Sequence, residues 1–71
     1  MNHWNHRVVK RTHDCGAIEF AIHEAHYDEN IAESITVNPT APVADSVDDL
    51  RWTLEQMLKA LDKPVLNYEE F

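Results

Sequence analysis

Residues 4–22, WNHRVVKRTHDCGAIEFAI, decide the fold. Their middle, His13-Asp14-Cys15-Gly16, holds the only glycine of the chain. A three-residue hairpin loop, a type I turn closed by a left-handed residue, wants glycine at its last position, where a Cβ is unwelcome. Taking Asp14-Cys15-Gly16 as the loop sets Thr12 opposite Ile18, Lys10 opposite Phe20, Val8 opposite Ile22, His6 opposite Glu24 and Trp4 opposite His26. Side chains alternate along a strand. One face then collects Trp4, Val8, Ile18, Phe20 and Ile22; the other holds Asn5, Arg7, Val9, Arg11, Glu19, Ala21 and His23. A register one residue shorter would mix Arg7 with Ile22. The reading predicts strands over 4–12 and 17–27, the first an edge strand guarded by its basic side chains.

Working outward, Asp28-Glu29-Asn30 is a second turn signal, and a short third strand is expected around 32–38. Pro39 and Pro42 break any strand there, so 39–45 reads as a surface crossover. A helix over 46–62 is the best-marked element. Ser46 is its N-cap, with Asp49 three residues on, and Asp45, Asp48 and Asp49 favour the positive end of the helix dipole. Val47, Leu50, Leu54, Met57, Leu58 and Leu61 fall within about a 100° arc. Pro64 stops the helix, Val65 and Leu66 are expected to pin the tail to the core, and 1–3 and 67–71 read as loose ends, the latter unless Tyr68 or Phe71 docks.

The apolar sheet face and the apolar helix stripe should cover each other. The expected fold is therefore α+β: a single domain over 1–71, a small two-layer ββ(β)α sandwich. An antiparallel hairpin or three-stranded sheet is covered by one C-terminal amphipathic helix. At 8.2 kDa the folded surface should be about 4,500 Å² against roughly 11,900 Å² unfolded, enough for one thin core.

The net charge of −7 comes from 13 acidic and 6 basic side chains, and Arg7, Lys10 and Arg11 precede the first acid. An acidic surface disfavours broad contact with nucleic acid or anionic lipid. Cys15 is the only cysteine, so no disulfide forms within the chain. No apolar run approaches a membrane span and the first ten residues carry no signal-peptide core, so the expectation is no membrane and a cytoplasmic location.

Five histidines invite a metal reading. His3-x-x-His6 and His23-x-x-His26 each point their rings to opposite faces of a strand, so neither pair chelates one ion. His6 and His26 share a face with Glu24 between them, a set that lacks a fourth ligand. His13 and Cys15 flank a tight turn without a third group to orient them. The expectation is no catalytic residue, no metal and no cofactor. Trp52 departs from the pattern, pointing about 170° away from the apolar arc, among Asp48, Glu55, Gln56 and Lys59. Tryptophan is enriched at the centres of interfaces, and the competing reading folds the 39–45 loop or the tail over it.

The opening Trp4-Asn5-His6-Arg7-Val8-Val9-Lys10-Arg11 and the closing Leu54-Glu55-Gln56-Met57-Leu58-Lys59-Ala60-Leu61-Asp62-Lys63-Pro64-Val65-Leu66 resemble a group of short, uncharacterised bacterial and phage-borne proteins. These share a W-N-x-R-V-V-K-R start and an L-x-x-M-L-x-A-L-x-K-P-V-L end. The resemblance implies a compact domain and carries no activity. In architecture the chain also resembles antitoxin domains of the HicB type, but lacks their glycine-rich middle strand.

The functional expectation is a small non-catalytic protein-interaction or regulatory module, with Trp52, Gln56 and Lys59 on the helix and Arg7, Val9 and Arg11 on the first strand as contact residues. Its partner would be another protein or a second copy in a homodimer. The alternative is a nucleic-acid-linked regulator, acting through the basic first strand or as an acidic mimic.

Overall fold

The computed structural model describes residues 2–71, with side chains from residue 3 onward; Met1, within the end expected to be loose, lies outside the described residues. Strand β1 (Asn2–Thr12) and strand β2 (Ile18–Asp28) form the antiparallel hairpin in the register fixed by Gly16, Thr12 against Ile18 through Trp4 against His26. Gly16 sits at φ 91°, and the loop closes with His13 N–H donating to Ala17 O (2.8 Å) and Gly16 N–H donating to His13 O (2.8 Å).

A two-residue turn with Glu29 at φ 59° leads into β3 (Ile31–Ile35), which pairs antiparallel with β2 and shifts register between His26 and Tyr27. The expected third strand over 32–38 thus starts earlier and ends sooner. Beyond it the chain still follows β2, with Thr36 N–H donating to Glu24 O and Thr40 N–H to Ile22 O. The 41–46 stretch is exposed, as the prolines required. Helix α1 (Val47–Ala60) is capped by Ser46, whose hydroxyl accepts from Asp49 N–H at 3.1 Å.

Two expectations need correcting. First, β1 is not an edge strand over its whole length. After Pro64 the chain adds a two-residue strand, β4 (Leu66–Asn67), parallel to β1 at Val9 and Lys10, so the sheet is four-stranded and mixed, in the order β3-β2-β1-β4. A two-residue strand has no periodicity to read in sequence. Second, the end at 67–71 is docked. A 3-10 turn over Tyr68–Glu70 packs back on β1, with the Arg11 guanidinium 4.2 Å over the Tyr68 ring and Thr12 N–H donating to a Glu69 carboxylate oxygen at 2.7 Å. At the other end His3 lies within β1, its ring stacked on Tyr27 at 4.7 Å.

The docked tail changes which face of the sheet is buried. The face read as polar holds the better-covered residues: Arg7, Val9, His23, Ala25 and Tyr27 are all buried. Arg7 ties three segments together, donating to Tyr27 Oη (2.6 Å) and to Pro64 O (2.5 Å). His23 Nδ1 lies 2.9 Å from Thr36 O, so that nitrogen carries the proton.

On the opposite face, α1 is seated along β1 and buries Met57 and Ala60, with Thr53 and Gln56 half-buried. Around the helix axis this contact strip lies about 80° from the centre of the apolar arc. The apolar stripe is therefore not covered by the sheet as expected. Val47, Leu54, Leu58 and Leu61 stay exposed on one flank, and Trp52 on the other.

Candidate functional site, a groove between strand β1 and helix α1

Because β4 joins β1 only at Val9 and Lys10, the first half of β1 has no described strand on its outer side. Helix α1 overhangs that free stretch. Trp52, Gln56 and Lys59 are spaced four and three apart and share one side of the helix. Trp4 and His6 share one face of β1, while Asn5 points to the other, so the hollow wraps around the strand edge. Together with Lys63, these residues line a groove of about 380 Å³, within the range of ordinary ligand sites.

Its walls are aromatic and its rim is cationic. Trp4 is 52% and Trp52 61% exposed, large apolar areas for a chain this small. The ring of Trp4 meets His6 edge-on at 5.3 Å. Lys59 and Lys63 are the only formally charged residues of the lining, in a chain of net charge −7. The lining offers neither a carboxylate nor a thiol. Two lining residues carry buried polar atoms that find no partner among the described residues, Asn5 Oδ1 and His6 Nδ1. Buried polar atoms are nearly always hydrogen-bonded, so both are exceptions, at atoms that solvent does not reach. A larger hollow of about 460 Å³ involves His3, Trp4, His26, Tyr27, Glu33 and Ser34, but none of those six has an orphaned polar atom or is a lysine or arginine.

The contact residues expected from sequence divide in two. Trp52, Gln56 and Lys59 come together in the groove. Arg7 and Val9 are buried, Val9 to 1% exposure, and Arg11 is half-buried beside Tyr68; these three present no common surface to a partner. Trp4, Asn5, His6 and Lys63 were not expected at the site. Trp4 was assigned to the covered apolar face, and only the placement of α1 along β1 frees it. Lys63 carried a signal in hindsight, since it follows Lys59 by four residues and Trp52 by eleven.

Arg7 Nε and His23 Nε2 are also buried without partners, but neither residue lines this groove or the larger hollow. Among the described residues no group of three or more His, Cys, Asp or Glu is placed to hold a metal ion, and no helix is long and apolar enough to cross a membrane. No family model, curated protein or solved structure matches the chain.

Proposed function

We propose that this chain is a small non-catalytic interaction module, and that its β1–α1 groove receives an extended acidic segment of another protein anchored by an aromatic or aliphatic side chain. The observation that carries this reading is the pairing of two exposed tryptophans with two lysines around one hollow whose lining holds no carboxylate. The tryptophans supply area for an apolar anchor, and the ammonium groups attract carboxylates. The free edge of β1 offers backbone donors and acceptors to an added strand, the mode by which sheets commonly bind peptides.

The alternative, direct binding of nucleic acid through Arg7, Lys10 and Arg11, draws no support from the buried position of Arg7 or the Tyr68-covered position of Arg11.

Selection of a random displayed peptide library on the immobilised protein tests the proposal. It predicts enrichment of peptides that combine Asp or Glu with an aromatic or Leu/Ile residue, and loss of their binding to Trp52→Ala and Lys59→Glu variants. Peptides that bind both variants as well as the parent, or that carry basic residues instead, would sink it.

A further inference from the structure

The cover of the sheet is uneven on the α1 side. The helix follows β1 and leaves the turn end of β2 on that face uncovered: Phe20 is 62% exposed and Ile18 is exposed beside it. Along the neighbouring flank of the helix run Val47, Leu54, Leu58 and Leu61, with Leu58 65% exposed. Floor and wall meet in a shallow hollow lined by Val8, Phe20, Ala21, Ile22 and Leu61. Leu61 thus joins the exposed sheet residues to the apolar flank of the helix in a corner on the opposite side of α1 from the Trp52 groove.

The chain as a whole is open: it exposes 5286 Å², whereas a compact monomer of 8.2 kDa exposes about 4,500 Å². The radius of gyration, 12.9 Å, likewise exceeds the roughly 11 Å of a compact chain of this length.

The pattern on the helix says what covers the corner. Turn the sequence of α1 around at the level of residue 56, and Leu54 falls beside Leu58 and Leu58 beside Leu54. Arg51 and Asp62 border the stripe on its solvent side, and the same reversal brings them within about one residue's rise of each other. It also sets the two helix dipoles opposed. Among the described residues Arg51 has only a long, exposed contact with Asp48 at 3.8 Å. A surface that is complementary to its own reverse is what a twofold interface requires.

We propose that a second copy of this chain fills the corner, the two α1 helices packing antiparallel about a twofold axis level with residue 56. Leu54 and Leu58 meet at the centre, with Leu61 and Phe20 to either side, and two equivalent Arg51–Asp62 ion pairs flank them. The grooves lined by Trp52 lie on the outer flanks and stay open, so the dimer displays two of them.

Sedimentation velocity on the full chain, under reducing conditions because Cys15 is exposed, tests this. The expected mass is that of two chains, dissociating on dilution. Leu58→Lys, a position exposed in the single chain, weakens association at least about thirtyfold while far-UV circular dichroism is retained, since each interface would bury the charge twice. Arg51→Asp and Asp62→Arg each weaken it about tenfold, and the double variant R51D/D62R returns to within about threefold of the parent. A single-chain mass at about 200 μM overturns the proposal. So does a dimer indifferent to Leu58→Lys, or a double variant that associates no better than either single one.

Discussion

Arg7 offers a sharp test of the way this chain holds itself together. Its guanidinium is buried, bonded to Tyr27 Oη on β2 and to Pro64 O in the segment leading to β4, with no carboxylate among its hydrogen-bond or ion-pair contacts. Arg7→Lys keeps the buried charge, so the desolvation term largely cancels between parent and variant. What changes is geometry, because one ammonium group cannot match the planar fork that reaches two acceptors. The Nε–H makes no hydrogen bond in the parent, so nothing is lost there.

The loss is then one hydrogen bond from a charged donor, about 1.5–3 kcal/mol. Against a total of about 4–10 kcal/mol for 71 residues, that is a large fraction. A loss of about 2 kcal/mol lowers Tm by roughly 8–16 °C in a domain this small. Urea unfolding followed by far-UV circular dichroism, at one fixed protein concentration so that association does not enter the comparison, gives the value. Tyr27→Phe in the same background closes a double-mutant cycle, and a coupling near 1 kcal/mol or more identifies the phenol as the acceptor that lysine gives up. An Arg7→Lys variant within about 0.5 kcal/mol of the parent would refute the view that the guanidinium clamps the tail to the sheet.

Further predictions concern the ends of the sheet and the caps. Glu69 has its pKa lowered below 4.5, first by the hydrogen bond it accepts from Thr12 N–H. A carboxylate with a depressed folded-state pKa stabilises above its unfolded pKa, and that contribution fades as pH falls through the folded value. The Thr12 amide resonance should therefore move, and its exchange protection drop, as Glu69 is protonated on acidification, and Glu69→Gln should flatten this response; a Thr12 amide that responds equally in the parent and in Glu69→Gln would contradict it. Gly16 has open space where a Cβ would go, so Gly16→Ala carries only the backbone strain of φ 91°, about 1–2 kcal/mol by urea unfolding; a neutral result would mean the loop relaxes without cost. Ser46→Ala removes the cap on Asp49 N–H and should cost about 1 kcal/mol in the same assay.

The hairpin was legible because one glycine fixed a loop and the loop fixed every cross-strand pair from Thr12–Ile18 to Trp4–His26. The start and stop of α1 were legible because Ser46 and Pro64 act locally. The side on which α1 meets the sheet was not. The arc of Val47, Leu54, Leu58 and Leu61 says that these residues favour burial, and periodicity does not say whether the cover comes from the same chain. The buried strip is instead Met57 and Ala60.

The tail was illegible for a different reason. Tyr68 on Arg11, Glu69 on Thr12 and Pro64 on Arg7 are contacts across more than fifty residues, made by single side chains or single carbonyls that leave no pattern. The same docking turned Arg7 and Val9 from expected contact residues into buried ones. At the site, Trp52, Gln56 and Lys59 were readable as a helix face carrying a misplaced tryptophan; Trp4, Asn5 and His6 depended on where that helix came to lie.

The central claim is that the β1–α1 groove is where this chain meets a partner. A photoreactive benzophenone amino acid in place of Gln56, half-buried in the groove, tests it inside the producing cell, with mass spectrometry of the crosslinked peptide as the readout. The account predicts a discrete adduct to an Asp/Glu-rich segment that carries an aromatic or aliphatic residue, lost when Trp52→Ala or Lys59→Glu is added to the still-folded chain. An adduct that persists in both variants, or none from a folded chain, would contradict it.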